Sequence, residues 1–260
     1  MLRIAITGAA GRMGREVIKA VSSESDMTVV AAVDPARAGT TVEDGHGGAV
    51  EVLGDLSAAL AARPDVLVDF TQASQVEANV REALASGVDC VVGTTGVGAD
   101  VLAGLADGAP AGVCLFYAPN FAIGAVLMMR FAEEAARFLP HAEIIELHHD
   151  RKLDAPSGTA MRTATLIAAA RTEIPSVPGR ETEVAEGARG AFVDDVPVHS
   201  VRLPGLVAHQ EVLFGGPGQT LSIRHDSIDR TSFMPGVVLA IRNVGGLSGL
   251  VIGLDALLDG

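Results

Sequence analysis

The chain has 260 residues, 48% of them hydrophobic, and its 19 Lys and Arg against 32 Asp and Glu give a formal net charge of −13. This length suits one large domain or two modest ones. The acidic balance, the absence of Trp and the single Tyr argue against nucleic acid as a partner, and no apolar run is long enough to cross a membrane.

Two further features predict a cytoplasmic protein. The opening M-L-R-I-A-I-T-G has too short an apolar part for a secretory signal and runs directly into a glycine motif. The two cysteines, Cys90 and Cys114, both lie in apolar, strand-like runs. Buried reduced thiols are therefore expected rather than a disulfide.

The N-terminus predicts a dinucleotide-binding unit. Residues 2–7 have a strand pattern, residues 16–22 have a helical one, and G-A-A-G-R-M-G stands between them. Glycines in such a turn let a pyrophosphate approach the backbone, and its charge is favoured at the start of a helix. The spacing G-x-x-G-x-x-G is a weak signal when taken alone.

A second strand, 27–33, ends in Asp34, where the ribose hydroxyls of a dinucleotide are expected to bind. The alternative for Asp34 is a plain turn residue before Pro35. The ordered combination of strand, glycines, helix, strand and acid predicts a Rossmann unit.

Strand and helix patterns then alternate. Residues 36–51 are rich in glycine and charge and are expected to be a loop. The predicted strands are 65–70, 88–92 and 112–117, and the predicted helices are 75–86 and 99–106. This alternation indicates a parallel, doubly wound sheet, in which ligands bind outside the carboxyl ends of the strands. Residues 93–96 and 118–121 lie at such ends and are the places expected for the nicotinamide.

The pattern changes after residue 121. The expected elements are a helix at 123–139, a strand at 143–147, a helix at 159–171 and a surface loop at 175–188. Strand-like runs at 196–202, 206–214 and 219–225 are separated by Gly and Pro turns, which predicts an antiparallel sheet in a separate domain. We expect this sheet to help make a subunit interface. A helix at 231–242 and a strand at 250–254 are expected to return to the first domain.

Residues 146–160, E-L-H-H-D-R-K-L-D-A-P-S-G-T-A, concentrate groups suited to a small-molecule site. This stretch contains two imidazoles, one ammonium group and three residues at the start of a predicted helix: His148, His149, Lys152, Ser157, Gly158 and Thr159. Ser157 or Thr159 can cap the following helix, whose first N–H groups bind anions such as carboxylates. Gly158 lets a ligand approach the backbone. The stretch therefore predicts a site for a small acidic molecule.

Two other interpretations of this stretch stay open. A His-His pair occurs in metal sites, but neighbouring strand residues point to opposite faces. The chain also lacks a Cys cluster and both the H-E-x-x-H and H-x-x-E-H patterns, so we expect no metal. The other interpretation is a solvated loop beside an ordinary capped helix.

The segments G-A-A-G-R-M-G-R at 8–15, G-T-T-G at 93–96, A-P-N-F at 118–121 and the run at 146–160 together resemble the dihydrodipicolinate reductase family of bacterial lysine and diaminopimelate synthesis. The resemblance covers essentially the whole chain. Its specific part is H-H-x-x-K-x-D-A-P-S-G-T, because the glycine motif is shared with many families. It implies NAD(P)H-dependent reduction of 4-hydroxy-tetrahydrodipicolinate to tetrahydrodipicolinate.

The resemblance also implies an architecture and roles for individual residues. A Rossmann domain would span 1–120 and be completed by 231–260. A central α+β domain with an open mixed sheet, 121–230, would bind the small dicarboxylate substrate and form a homotetramer. His148 is the implied proton donor and acceptor, and Lys152 is the implied proton donor. The implied substrate positions, together with Ser157 from the helix start, are His149, Gly158 and Thr159. The implied cofactor positions are Gly8, Ala9, Ala10, Gly11, Arg12, Met13, Asp34, Gly93, Thr94, Thr95, Ala118, Pro119, Asn120 and Phe121.

Both NADH and NADPH are expected as cofactors, with NADH somewhat preferred. Asp34 would accept hydrogen bonds from the ribose hydroxyls of NADH and repel a 2′-phosphate. Some family members carry an Arg directly after this acid, where the present chain has Pro35. Arg12 and Arg37 reduce the discrimination, since an Arg can pair with a 2′-phosphate.

Two other functions compete with this interpretation. One is another nicotinamide-dependent dehydrogenase, such as a semialdehyde or aspartate dehydrogenase. A semialdehyde dehydrogenase would need a nucleophilic cysteine, and neither Cys90 nor Cys114 lies in an obvious active-site context. The other is a non-catalytic nucleotide sensor, which would have no need of His148 and Lys152.

Overall fold

The computed structural model describes residues 1–173 and 182–258. In chain order the elements are β1 (Leu2–Thr7), α1 (Arg12–Ser22), β2 (Met27–Val33), β3 (Thr41–Glu43), β4 (Ala49–Leu53), α2 (Leu56–Ala61), β5 (Val66–Asp69), α3 (Ala73–Ala85), β6 (Asp89–Val92), α4 (Ala99–Asp107), β7 (Cys114–Tyr117), α5 (Ile123–Ala136), β8 (His141–His148), α6 (Gly158–Ala170), β9 (Ala191–Val193), β10 (Val196–Arg202), β11 (Ala208–Gly216), β12 (Gln219–Ser227), α7 (Met234–Val244) and β13 (Gly249–Ile252).

The chain divides into two compact units. One comprises Met1–Ile123 with Phe233–Gly260, and the other comprises Gly124–Ser232. Residues 174–181, which include much of the surface loop expected at 175–188, lie outside the described residues.

The first unit is built on an eight-stranded sheet with the order β13-β7-β6-β5-β1-β2-β4-β3. All neighbouring strands are parallel except β3 and β4. Helices α2, α3 and α4 pack on one face, and α1 and α7 pack on the other. The central strands are consequently buried on both sides, and Ile4, Leu67 and Val91 are 0% exposed. The predicted doubly wound parallel sheet is confirmed.

The expectation of a loop at 36–51 is wrong in part. A 3₁₀ turn at Pro35–Arg37 is followed by the antiparallel pair β3 and β4, and β4 extends the main sheet beside β2. Val42 and Val52 are each 1% exposed, and these single buried valines hold the short strands against the unit. The surrounding glycines and charges hid this pattern in the sequence.

The second unit has a five-stranded sheet with the order β12-β11-β8-β10-β9. Strands β8 and β10 are parallel and the other pairs are antiparallel, so the sheet is mixed, as the family resemblance implies. The purely antiparallel sheet predicted from the Gly and Pro turns is wrong. The physical reason is that β8, from earlier in the chain, inserts between β10 and β11 and pairs with both.

Helices α5 and α6 cover one face of this second sheet. Their buried residues, including Ala132 and Ile167, pack against Ile144, Val212 and Phe214 of the strands. The opposite face carries alternating residues of the same strands: Glu143, Ile145, Glu211, Leu213 and Arg224. None of the helices in 1–173 and 182–258 combines the length and apolar character that a bilayer span needs.

Candidate active site

Gly8 and Gly14 shape the turn that follows β1. Gly8 has a φ of +71°, and a Cβ there would lie 2.4 Å from the carbonyl oxygen of Phe70. A Cβ at Gly14 would lie 2.2 Å from the carbonyl oxygen of Gly8. Both distances are far below van der Waals contact. Only glycine therefore lets β1, the end of β5 and the first turn of α1 pack this closely.

The start of α1 is open to an anion. Its N-cap residue, Gly11, provides no side-chain cap, and its first turn contains no acidic residue. Within the described residues, the backbone N–H groups of Arg12 and Met13 have no hydrogen-bond acceptor. Such N–H groups, together with the helix dipole, favour a negatively charged group such as a pyrophosphate.

A cavity of about 290 Å³ lies beside this turn, and Gly8, Pro35 and Thr71 are among the residues that line it. Its volume is at the lower end of the range for small-molecule pockets. Asp34 directly precedes Pro35, and its Oδ1 accepts the N–H of Ala36 at 3.2 Å. Its Oδ2 has no partner in the described part of the chain and can accept a hydrogen bond from a sugar hydroxyl.

Two exposed arginines stand near the same elements. Arg12 opens α1, and Arg37 ends the 3₁₀ turn after Asp34. Neither guanidinium has a hydrogen-bond or ion-pair partner among residues 1–173 and 182–258. Both side chains are consequently available to a phosphate.

The remaining predicted cofactor residues follow β6 and β7, at the same edge of the sheet as the Gly8 turn and Asp34. The side chains of Ala9, Ala118 and Phe121 are 0%, 0% and 2% exposed, so these residues can offer a ligand only their backbone. Gly93 borders the ring of Phe70, and Thr95 and Pro119 are exposed. The Oδ1 of Asn120 accepts the N–H of Ala122 at 2.9 Å.

Asp69, a residue that sequence reasoning missed, joins the ends of three of these strands. Its carboxylate is 0% exposed. It accepts hydrogen bonds from the hydroxyls of Thr7, Thr71 and Thr94, each at 2.8 Å, and from the amide of Asn79 at 2.9 Å. These donors lie after or at the ends of β1, β5 and β6 and on α3, so one carboxylate fixes the loops where a cofactor would bind.

In the second unit, His148 is the last residue of β8, and its Nδ1 lies 2.5 Å from Oε2 of Glu146. Glu146 is 0% exposed and also receives two hydrogen bonds of 2.7 Å from the guanidinium of Arg202. Burial alone would raise the pKa of Glu146. The hydrogen bonds from His148 and Arg202 outweigh that effect and lower this pKa to about 2.

The same carboxylate reaches the start of α6, because Oε1 of Glu146 accepts the N–H of Ser157 at 3.1 Å. Ser157 is the N-cap, and its hydroxyl accepts the N–H of Ala160. A Cβ at Gly158 would meet no atom within 4 Å, and the Gly158 N–H has no acceptor among the described residues. Gly158 and Thr159 thus present the first turn of α6, where a carboxylate binds favourably.

Lys152 and His149 lie in the loop between His148 and α6. The Nζ of Lys152 is 2.8 Å from both carboxylate oxygens of Asp154. The Nδ1 of His149 is buried and has no hydrogen-bond partner in the described part of the chain. A ligand with a polar group near this nitrogen would supply the missing hydrogen bond.

Glu146 and Arg202 were missed as site residues. Glu146 stands inside the run at 146–160, where the histidines and Lys152 drew attention away from it. Arg202 lies at the end of β10 and pairs in register with His148 at the end of β8. The rule that ligands bind at the carboxyl ends of parallel strands would have found it, had β8 and β10 been predicted to be parallel.

Neither cysteine resembles a nucleophile. Cys90 and Cys114 are both 0% exposed. Burial, with a smaller effect from Asp89, raises the pKa of Cys114 to about 11, and burial also raises that of Cys90. Thiols of this kind remain protonated at neutral pH. Among the described residues, no three His, Cys, Asp or Glu side chains are grouped so as to hold a metal ion.

Comparison with known families identifies both units. Residues 2–121 match the family model described as dihydrodipicolinate reductase, N-terminus, and residues 124–258 match that described as dihydrodipicolinate reductase, C-terminus.

Individual members of this family are similar to the chain over nearly its full length. The 4-hydroxy-tetrahydrodipicolinate reductase of Moorella thermoacetica is 50% identical over 99% of this chain and 98% of its own. That of Mycolicibacterium smegmatis is 48% identical over 99% of each chain. A solved structure of a dipicolinate-bound dihydrodipicolinate reductase from Paenisporosarcina sp. TG-14 has 44% identity and a TM-score of 0.86, covering 98% of this chain and 99% of that one.

Proposed function

The chain belongs to the dihydrodipicolinate reductase family, which makes it a pyridine-nucleotide-dependent reductase, and we propose that it reduces 4-hydroxy-tetrahydrodipicolinate to tetrahydrodipicolinate in lysine and diaminopimelate biosynthesis. The observation that carries the proposal is the arrangement around Glu146. One buried carboxylate binds the ring of His148 and the N–H of Ser157, so an imidazole and an anion-binding helix start are neighbours.

The chemistry requires a cation and a proton source beside the substrate. When bound, a reduced nicotinamide supplies hydride to a conjugated ring carbon of the substrate. Negative charge then develops towards the substrate's ring nitrogen. His148 and Lys152 are the groups that stabilise this charge and deliver the proton. Nδ1 of His148 is held by Glu146, so the proton is transferred at Nε2.

The substrate's two carboxylates are assigned to the start of α6 and its neighbours. The backbone N–H groups of Gly158 and Thr159 bind one carboxylate, as helix N-termini do. Lys152 exchanges its ion pair with Asp154 for one with the substrate. His149 uses its buried Nδ1 to complete the site. Ser157 acts chiefly as the cap that orders this turn, since its hydroxyl already accepts the N–H of Ala160.

The cofactor is assigned to the first unit. The pyrophosphate would lie against residues 8–13, the ribose hydroxyls would bind Asp34, and residues 93–95 and 118–121 would bind the nicotinamide half. The open start of α1, the glycine contacts that a Cβ would block, and the cavity beside Gly8 support this assignment. Both NADH and NADPH serve as donors, with NADH somewhat preferred.

The proposed assembly is a cytoplasmic homotetramer, formed through the second unit, Gly124–Ser232. The supporting feature is the sheet face that no helix of the described second unit covers, where Leu213 is 37% exposed among charged neighbours. Leu213→Asp should lower the mass measured by sedimentation equilibrium. An unchanged mass would remove this face from the interface.

The activity is tested by following NADH absorbance while the preceding synthase makes 4-hydroxy-tetrahydrodipicolinate in the cuvette. We expect NADH loss well above a blank without the synthase. Wild-type protein that shows no loss beyond this blank, with either NADH or NADPH, would exclude the proposed reaction. The competing semialdehyde dehydrogenase function is tested in a separate assay with aspartate semialdehyde and NAD⁺ or NADP⁺, because such an enzyme oxidises the aldehyde and the absorbance of reduced cofactor rises. The buried cysteines already argue against this function.

A further inference from the structure

We propose that Glu146 is a positioning residue that fixes the catalytic ring nitrogen of His148 and the substrate-binding start of α6 with one carboxylate, for which Arg202 is the counter-ion. This inference rests on the proposed function for the roles of His148 and of the α6 start. It goes beyond that function because it assigns to Glu146 and Arg202 the orientation of both groups.

The two carboxylate oxygens of Glu146 contact different groups: Oε2 contacts His148, and Oε1 contacts the start of α6. Oε2 of Glu146 lies 2.5 Å from Nδ1 of His148 and 2.7 Å from Nη1 of Arg202. Oε1 accepts the N–H of Ser157 at 3.1 Å and Nη2 of Arg202 at 2.7 Å. Arg202 is in turn tied to the site loop, because Nη2 also donates to the carbonyl oxygen of Asp154 at 2.7 Å. A shift of Glu146 would therefore move the imidazole and the helix start together.

Because Glu146 is charged, its carboxylate accepts a hydrogen bond from Nδ1 of His148. Burial would raise the pKa of this carboxylate, but the hydrogen bonds from His148 and from the bidentate Arg202 outweigh that effect and keep it ionised, with a pKa of about 2. An ionised carboxylate only accepts hydrogen bonds, so Nδ1 of His148 must be the protonated nitrogen in the neutral ring. When imidazolium His148 donates the Nε2 proton to the reduced substrate, it becomes this Nδ1–H tautomer. The proton on Nδ1 stays there throughout.

Replacing Glu146 by Gln removes the preference for the Nδ1–H tautomer of His148. An amide has one acceptor oxygen, and Arg202 competes for it with Nδ1 of His148 and the N–H of Ser157. We expect the amide oxygen at the position of Oε1, because the donors there, the N–H of Ser157 and Nη2 of Arg202, cannot become acceptors. The amide NH2 then faces Nδ1, and the imidazole must protonate at Nε2, which is the wrong tautomer for accepting a proton there. We expect Glu146→Gln to lower kcat by about 10²–10³-fold, the usual size of a general acid–base contribution. Affinity for NADH should stay within about twofold, because the cofactor contacts are assigned to other residues.

Glu143→Gln is the matched control. Glu143 lies on the same strand and also pairs with a histidine and an arginine, His199 at 2.8 Å and Arg189 at 2.5 Å. It contacts neither His148 nor Ser157. Its substitution should leave kcat near that of the wild type, provided that sedimentation shows an unchanged assembly.

The test combines a mutant cycle with a spectroscopic measurement. Glu146→Gln and Glu143→Gln are each measured in the wild-type and His148→Gln backgrounds. If Glu146 acts through His148, its substitution costs little further kcat once His148 is gone. The tautomer is measured from imidazole ¹⁵N chemical shifts, with His148 assigned by its loss in His148→Gln. The wild type should show a protonated Nδ1, and Glu146→Gln should lose it.

Each outcome decides the inference. The inference is overturned if Glu146→Gln lowers kcat no more than Glu143→Gln does, or if it lowers kcat equally in both backgrounds. It is also overturned if His148 has the same tautomer in Glu146→Gln as in the wild type. The tautomer is measured without substrate, so an inactive wild-type protein would refute the proposed reaction while the role of Glu146 is still decided. If Glu146→Gln does not fold, Glu146→Asp serves instead, because it keeps the charge for Arg202 but shortens the reach. Wild-type kcat and tautomer in that variant would also overturn the inference.

Discussion

Both carboxylate oxygens of Asp154 lie 2.8 Å from Nζ of Lys152. The hydrogen bond from Lys152 is the main cause that lowers the pKa of Asp154, so the pair is ionic at neutral pH. The carboxylate side chain is 62% exposed, and ion pairs of this kind contribute little to stability. A substrate carboxylate can therefore replace Asp154 without a large loss of free energy.

Lys152→Ala should lower kcat by about 10²–10³-fold, the usual effect of losing a group that stabilises charge or donates a proton. The Kd for NADH, measured by fluorescence titration, should be nearly unchanged, because Lys152 lies in the loop before α6 and not among the assigned cofactor residues. His148→Gln should behave similarly, and the two effects should not add if the groups act as one unit. A kcat near the wild-type value for Lys152→Ala would remove this residue from the mechanism.

Gly14→Ala should destabilise the first unit and weaken NADH binding. The new Cβ would lie 2.2 Å from the carbonyl oxygen of Gly8, so α1 must move away from the turn that is assigned to the pyrophosphate. We expect a loss of about 1–3 kcal/mol in unfolding free energy, as for other overpacked positions. Gly104→Ala is the control, since Gly104 lies within α4 and a Cβ there meets no atom within 4 Å. That change should stabilise the protein by up to about 1 kcal/mol. Equal effects in urea unfolding would contradict the role given to Gly14.

Asp69→Asn should reduce both stability and NADH affinity. The buried carboxylate accepts hydrogen bonds from Thr7, Thr71, Thr94 and Asn79, two at each oxygen. In Asp69→Asn an NH2 group replaces one of these oxygens, so two of the donors would face another donor. Leaving a buried group unsatisfied costs about 1–3 kcal/mol.

The matched control is Asp65→Asn, which alters an exposed carboxylate at the other end of β5 that accepts the N–H of Arg3. It should change stability by less than about 0.5 kcal/mol. If Asp69→Asn lowers the unfolding free energy but leaves the Kd for NADH unchanged, Asp69 supports the fold without positioning the cofactor loops.

The sequence predicted the central strands of the first sheet because each buried strand alternates with a helix and ends in a turn signal. It failed for β3 and β4, where single valines are buried among glycines and charges. It also missed Glu146, the partner of His148, and Arg202, the counter-ion of Glu146. Glu146 and Arg202 are 56 residues apart, and only the parallel pairing of β8 with β10 brings them together. Local patterns contain no information on that long-range pairing.

The lowered pKa of Glu146 predicts a loss of stability in acid. Its pKa is about 2 in the folded chain against 4.5 for an ordinary glutamate, so the stabilisation is present above pH 4.5 and is lost as the pH falls towards 2. A lowering of this size corresponds to roughly 3 kcal/mol of unfolding free energy. The difference in urea-unfolding free energy between wild type and Glu146→Gln should shrink as the pH falls from about 5 towards 2. A difference that does not vary with pH would show that Glu146 does not titrate as described.

The choice between NADH and NADPH depends on opposing charges in the first unit. Oδ2 of Asp34 has no partner in the described part of the chain, so it can bind a ribose hydroxyl of NADH and would repel a 2′-phosphate. Pro35 supplies no compensating charge. Arg12 and Arg37 are exposed and lack partners within those same residues, and each could pair with the phosphate. We therefore expect both cofactors to work, with NADH preferred by up to about tenfold in kcat/KM, or roughly 1.4 kcal/mol.

Arg12→Ala should then weaken the NADPH reaction more than the NADH reaction, and the NADPH reaction should be the more sensitive to salt, because a charged pair is screened. Arg81→Ala is the control, since Arg81 is an exposed arginine on α3 that is already paired with Glu77. It should affect both cofactors equally. Steady-state kinetics with each cofactor at two ionic strengths measures these differences. A wild-type preference for NADPH of about tenfold or more would mean that Asp34 does not decide the selectivity, because its repulsion would have been overcome by the two arginines.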